Sequence, residues 1–269
     1  MILFRLTFII ALAILLVGCD ASPQVPNTTQ KNYPAILKDS AERREKAERE
    51  WRRMLDAYNV QQTPPDLNPI SYTPRSLLGV TGGIQMITFK PEPGSEIIAL
   101  REAMKGFIDR WRELLGADTS SVSLTAGDNT DAAQKLTYRQ VNYAFPVAGN
   151  FGEMIAVVSA DGRLMQLDDR FIPVVELPIR PQIEREAAQK KVAGRSFTYT
   201  DIAGREQQAQ IGGIDEVSVK RAVILPIEKS DMIEVHLAWE IVAGKSLSWT
   251  VYIDAINGEE LKVVQNFQT

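Results

Sequence analysis

A two-residue turn near the end of the chain limits the choice of fold more than any other feature. Asn257-Gly258 separates two runs, 247–254 and 259–266, in which apolar and polar residues alternate. Asn-Gly favours a tight hairpin turn, and alternation places one face of each strand against a core. Asp161-Gly162 repeats this arrangement in the middle of the chain. The sequence therefore predicts two antiparallel sheets.

A helical pattern precedes each of these hairpins. Apolar residues recur every three or four positions across residues 95–116, which end at Gly116 as a C-cap. A shorter helix is predicted from Pro181 to Gly194. Aligning the two hairpin turns also places Val157 on Ile253, which suggests a duplicated architecture.

A third, charged amphipathic helix is predicted at 39–60. Ser40 is a suitable N-cap, and Trp51 and Leu55 lie on the same helical face. A coiled coil is the alternative, although the apolar stripe is short. A Pro-rich linker at 61–76 follows this helix.

We therefore predict an α+β fold of two tandem helix-on-antiparallel-sheet modules, preceded by an N-terminal helix. The first module is assigned to residues 77–178 and the second to residues 179–269.

The N-terminus resembles the signal sequence of bacterial lipoproteins. Arg5 precedes an apolar stretch, Leu6 to Val17, that is short for a transmembrane helix, and "LVGC" at 16–19 is similar to a lipobox. The resemblance implies a signal peptide at 1–18, acylation of Cys19 (palmitate among the acyl chains) and a flexible tether at 19–38. The alternative is a plain membrane anchor with an ordinary cysteine.

Composition restricts the chemistry that the chain can perform. The formal charge is −4 and the basic residues are scattered, which argues against nucleic acid as a partner. A single Cys excludes an internal disulfide. His236, the only histidine, alternates with Glu234 and Glu240 on a polar strand face, so we expect a solvated surface residue and no catalytic residue.

Several carboxylates gather near the two hairpins, and turn geometry explains them without a metal ion or cofactor. These are Asp161, Asp168, Asp169, Asp254 and Glu259.

Residues 136–174 resemble the fungalysin/thermolysin propeptide. The residues that carry the resemblance are Tyr138, Gln140, Pro146-Val147, Gly149 and Asp161-Gly162. Ala144 departs from it, because the family often has Gly before the Pro. No His-Glu-x-x-His motif occurs in the chain, so the peptidase zinc site is missing.

The second module is similar to PepSY, which implies a cystatin-like fold. The matching segments are "EREAAQKKVAG" at 184–194, "LAWEIVA" at 237–243 and "WTVYIDAINGEEL" at 249–261. Residues 197–216 follow no recognised pattern.

These resemblances imply a non-catalytic, lipid-anchored cell-envelope protein that binds another protein, such as a peptidase or an envelope factor. Asp20 resembles the inner-membrane retention residue of some Gram-negative lipoproteins, which would place the protein on the periplasmic face. The alternative function is a structural or ligand-binding envelope lipoprotein with no peptidase connection.

Overall fold

The computed structural model describes residues 32–88, 91–92, 94–129 and 133–268. This part of the chain contains two five-stranded antiparallel sheets. The helices are α1 (Ala41–Ala57), α2 (Glu96–Arg110), α3 (Arg112–Leu115) and α4 (Arg185–Val192), with a 3-10 turn at Ile214–Glu216. The strands are β1 (Ala35–Lys38), β2 (Asp66–Leu67), β3 (Pro74–Ser76), β4 (Ile84–Gln85), β5 (Val122–Asn129), β6 (Ala133–Gln140), β7 (Glu153–Ser159), β8 (Arg163–Asp169), β9 (Ser196–Thr200), β10 (Glu206–Gln210), β11 (Val217–Glu228), β12 (Met232–Ala243), β13 (Trp249–Asp254) and β14 (Glu260–Gln265). The α+β prediction is confirmed.

The first sheet has the order β4-β8-β7-β6-β5, and α2 packs on one of its faces. Alternation along β7 buries Met154, Ala156 and Val158, while the helical period of α2 buries Met104 and Phe107. Because the helix and the strand each present one apolar face, α2 and the first sheet pack against each other around one hydrophobic core.

The second sheet is built around β12. One edge of β12 pairs with β11, and the other edge pairs with β1 over residues 232–235 and with β13 over residues 238–243. β14 pairs with the far side of β13. α4 and the β9–β10 hairpin cover one end of this sheet, where Phe197 stacks on Trp249 with ring centroids 5.0 Å apart.

The segment after β6 joins the edge of the second sheet. The Ile224 N–H donates to the Pro146 carbonyl at 2.9 Å, and the Ala148 N–H donates to the Ile224 carbonyl at 2.8 Å. The Pro-Val turn identified in the sequence thus forms a short parallel bridge with β11 through Val147.

Most long elements match the sequence predictions. Ser40 caps α1 by accepting the Arg43 N–H, and Gly116 follows α3 in the left-handed conformation. The helix predicted from Pro181 is wrong at its start, because α4 begins at Arg185. The division between modules at residue 178 stays a prediction.

The proposed equivalence of the two hairpins is wrong in its burial phase. Val158, and not Val157, lies on the core side of β7, whereas Ile253 is fully buried in β13. Alternating apolar residues on both sides of β7 made either phase compatible with the sequence.

Two segments predicted to be extended chain are packed into the fold. Ala35–Lys38, the end of the predicted tether at 19–38, form β1, which buries Ala35 and Leu37. The predicted linker at 61–76 forms the β2–β3 pair and buries Thr73. The Thr73 hydroxyl donates to the Asp169 carbonyl at 2.8 Å, so this segment is held against the first sheet.

We expect Trp51→Ala to lower the free energy of unfolding by about 3–5 kcal/mol, measured by urea denaturation of the full chain. Trp51 is fully buried, and its indole N–H donates to the Thr63 carbonyl at 2.8 Å. Arg49→Ala, on the exposed side of α1, is the control and should change the stability by less than about 0.5 kcal/mol. Equal effects of the two substitutions would show that α1 is not docked.

Candidate functional site

A buried carboxylate, Asp254, gathers polar groups from three parts of the second sheet. Its Oδ2 accepts hydrogen bonds from the Tyr33 hydroxyl and from the His236 Nδ1, both at 2.9 Å. Its Oδ1 accepts the backbone N–H groups of Ile256 at 2.8 Å and Asn257 at 3.1 Å. We call Tyr33, His236 and Asp254 the buried triad.

Tyr33 fills a gap in the sheet. The edge of β12 changes its pairing partner from β1 to β13 at His236 and Leu237, the two residues between the two ladders. There the Leu237 N–H donates to the Tyr33 hydroxyl oxygen at 3.1 Å, and the Leu237 carbonyl accepts the Ala255 N–H at 2.8 Å. The tyrosine therefore replaces the strand bond that neither neighbour supplies.

The pKa values of Asp254 and Tyr33 are shifted in opposite directions. Burial acts to raise the pKa of Asp254, but the hydrogen bonds from His236, Ile256, Tyr33 and Asn257 together hold this pKa below its usual value. Burial, followed by the neighbouring Asp254 charge, raises the pKa of Tyr33. The ionised carboxylate and the neutral phenol are thus the stable forms at neutral pH.

The prediction that His236 is a solvated surface residue is wrong. Its strand face is polar in sequence, yet His236 is only 6% exposed. The ring of Tyr33 lies edge-on to the imidazole with ring centroids 5.9 Å apart, and Leu225 of β11 lies opposite His236 in the sheet. Tyr33 is 203 positions away in the sequence, so alternation along β12 could not predict this contact.

The His–Asp pair has the orientation of a general base, but no described residue supplies a reacting group. The His236 Nε2 is buried and has no hydrogen-bond partner among the described residues; a carboxylate oxygen of Glu234 is 3.6 Å away. No hydroxyl or thiol in the described part of the chain bonds to it. The pair links β12 to β13, and within the described ranges it contacts no nucleophile that it could activate.

The other hairpin carboxylates do not converge on one point. Asp161 pairs with Arg163 at 3.0 Å, Asp168 pairs with Arg170 at 3.1 Å, and Glu259 accepts from the Asn257 amide. Within the described ranges no three metal-ligating side chains come together.

Asp169 differs from these carboxylates because it is fully buried. One of its oxygens accepts the Phe171 N–H at 2.9 Å, and the other has no partner among the described residues. Burial raises the pKa of Asp169 well above its usual value. Asp169 is the last residue of β8, and its carboxyl is enclosed in the core.

One long edge of the second sheet is closed. The Gln189 side chain of α4 donates to the Val217 carbonyl at 2.6 Å, and Arg185 of the same helix donates to the Val219 carbonyl. Further along β11, the segment around Pro146 pairs with Ile224. Side-chain and main-chain groups therefore occupy this edge.

The other long edge, β14, is open. The Asn266 N–H donates to the Ser248 carbonyl at 3.0 Å, and the register places Val264 opposite Thr250. Because antiparallel pairs alternate, the backbone N–H and C=O groups of Val263 and Gln265 point away from β13. No described residue hydrogen-bonds to those backbone groups.

A polar cleft of about 570 Å³ lies beside the start of β14. Its basic lining residues are largely neutralised, because Arg75 pairs with Asp66 at 2.6 Å and Arg170 pairs with Asp168. The cleft thus offers few unpaired charges to a ligand.

The lipidation site predicted at Cys19 lies outside the described residues. No helix in the described part of the chain is long and apolar enough to cross a membrane.

Comparison with known proteins assigns no family to the chain. No protein-family model and no curated protein matches it. Among solved structures it is similar to the Bacillus megaterium YpeB C-terminal domain, with 16% identity and a TM-score of 0.35 over 85% of this chain and 98% of that chain. A TM-score this low identifies neither a family nor a function.

We expect Tyr33→Phe to lower the free energy of unfolding at pH 7 by about 1–3 kcal/mol, because it removes one hydrogen bond to an ionised carboxylate and leaves the Leu237 N–H unpaired. The folded pKa of Asp254 is depressed, so the stabilisation due to its charge is fully present above the unfolded pKa. This stabilisation is lost as the pH falls through the folded pKa. The difference between wild type and variant should therefore shrink in acid.

Tyr199→Phe is the matched control, since no described residue hydrogen-bonds to its hydroxyl, and it should have little effect at any pH. Urea denaturation at several pH values measures both variants. A Tyr33→Phe penalty that grew on acidification would contradict the role given to Asp254.

Proposed function

We propose that this protein is a non-catalytic, lipid-anchored cell-envelope protein that binds an extended segment of another extracytoplasmic protein along β14. The observation that carries the proposal is the contrast between the two long edges of the second sheet. α4 and the Pro146 segment close one edge, and β14 presents free backbone groups at the other. An exposed strand edge is a template for pairing with a further strand.

The side chains of β14 also suit a protein partner. Val263 and Val264 are 37% and 36% exposed, and they point to opposite faces of the sheet. An added strand would bury part of both valines while its backbone bonds to the open edge. Lys262 protects the free edge against indiscriminate pairing, as lysine does on natural edge strands. This combination favours a specific partner, such as a peptidase or an envelope factor.

The N-terminal signal supports attachment to the membrane outside the cytoplasm. If Cys19 carries the acyl chains, the folded part follows after a short connection, since Tyr33 is already held in the buried triad. Several buried acyl chains give a stable anchor, at about 0.8 kcal/mol for each buried CH₂ group. Asp20 favours the inner membrane of a Gram-negative envelope.

We expect Cys19→Ser to abolish incorporation of radiolabelled palmitate in growing bacteria and to release the protein from the membrane fraction. The wild type should be labelled and sediment with membranes. Asn27→Ser, a substitution in the same N-terminal segment, is the control. Equal labelling of wild type and Cys19→Ser would exclude Cys19 as the acylated residue.

We expect Val263→Pro to reduce partner crosslinking in intact cells at least tenfold. Proline removes the outward N–H of Val263 that an added strand would use, and it breaks no bond within the sheet. Val263→Thr is the matched control, because threonine keeps the N–H and favours strand structure, and it should stay within about twofold of wild type.

Crosslinked products are to be quantified from cells that express each full-length variant at equal levels. An adduct formed equally well by the proline variant would place the partner elsewhere on the protein. Equal loss with proline and threonine would show that side-chain contact, and not strand addition, holds the partner.

A further inference from the structure

A cavity of about 400 Å³ opens at the outer edge of the first sheet, between α2 and β5. This volume lies in the range of ordinary ligand pockets, about 300–1,000 Å³. The apolar part of the lining comes from Ile98, Val122 and Leu124, and Ile98 is 64% exposed at the mouth. The wall is thus apolar, with charged residues of α2 at its rim.

The hydroxyl of Tyr138 has no partner in this cavity. Tyr138 is only 4% exposed and lines the pocket from β6, yet no described residue hydrogen-bonds to its hydroxyl. Burial raises the pKa of Tyr138 to about 12, so the phenol is protonated and can donate at neutral pH. A hydroxyl that lines a cavity and has no described protein partner is free to donate to a ligand that accepts its hydrogen bond.

The rim of the cavity carries a net positive charge. Glu102 is neutralised by Lys105, whose Nζ lies 2.7 Å from its carboxylate. Arg101 lines the same pocket and has no carboxylate partner among the described residues. A guanidinium and a phenol hydroxyl are therefore both available to a carboxylate.

No described residue bonds to the outer edge of β5 beside the cavity. The Val141 N–H donates to the Ser121 carbonyl at 2.8 Å, and the register places Ser123 opposite Arg139. Alternation then turns the N–H and C=O groups of Val122 and Leu124 away from β6. Open strand bonds therefore adjoin the two side chains that line the pocket.

We propose that this groove binds the free C-terminus of an extended peptide. The last residues pair with β5 at Val122 and Leu124, the terminal apolar side chain enters the cavity, and the α-carboxylate bonds to Arg101 and the Tyr138 hydroxyl. The site is separate from β14 and does not depend on the function proposed for that edge.

The test uses two mixtures of pentapeptides randomised at every position, one with free carboxyl termini and one with C-terminal amides, incubated with immobilised full-length protein. Mass spectrometry quantifies the retained peptides. The free-acid mixture should yield peptides that end in an apolar residue, and the amide of the best peptide should bind at least tenfold more weakly. Octanoate, tested separately, distinguishes a fatty acid from a peptide as the source of the carboxylate.

The best free-acid peptide is then titrated by fluorescence anisotropy against variants. Arg101→Gln should weaken binding about tenfold to a hundredfold and Tyr138→Phe about threefold to tenfold, since hydrogen bonds to charged groups are the stronger ones. Arg49→Gln on α1 should leave binding within twofold of wild type.

Equal binding of acid and amide, unchanged binding by Arg101→Gln, retention of octanoate without any peptide, or no retention at all would each overturn the proposal. Arg101 is exposed, so its variant should keep the wild-type melting temperature.

Discussion

The second sheet depends on one buried carboxylate. Asp254 accepts four hydrogen bonds, from Tyr33, from His236 and from two backbone N–H groups of the turn that follows β13. Each hydrogen bond to a charged group contributes about 1.5–3 kcal/mol, and together they offset the cost of burying the charge. Because the donors come from Tyr33, from β12 and from the turn after β13, a single charge holds three segments that are distant in the sequence.

Strand pairing around β12 determines which edges of the sheet are free. With Tyr33 held at Leu237, β1 covers the first part of one edge of β12, and β13 covers the rest. The opposite edge of β12 is taken by β11, which α4 closes in turn. The strand order ends with β1 on one side and with β14 on the other, and β14 is the longer of these two outer strands.

Local patterns in the sequence predicted the local structure well. Alternation around Asn257-Gly258 gave the final hairpin, and helical periodicity ending at Gly116 gave α2 and α3. Long-range packing was not visible in the same patterns. The weak apolar alternation of "VSLTAGDN" does not predict β5. The four residues of β1 follow a Pro-rich run, so the sequence predicts a tether there.

The candidate sites, too, depend on long-range packing that the sequence patterns do not predict. Alternation predicts the strand face of His236 correctly, but its burial involves the ring of Tyr33, which lies far away in the sequence. The hydroxyl of Tyr138 faces a cavity because of the position of α2 over β6. The spacing of residues in the sequence does not predict that position. Single residues could therefore be placed on elements from sequence, whereas the cavities and edges between elements required the fold.

Hydrogen exchange of the free, full-length protein tests the open edge most directly. We predict that the backbone amides of Val263 and Gln265 exchange at nearly unprotected rates, because they point away from β13. The amides of Lys262 and Val264, which face β13, should be strongly protected. Protection of Val263 equal to that of Val264 would show that the edge is already occupied, and it would contradict the function proposed for β14.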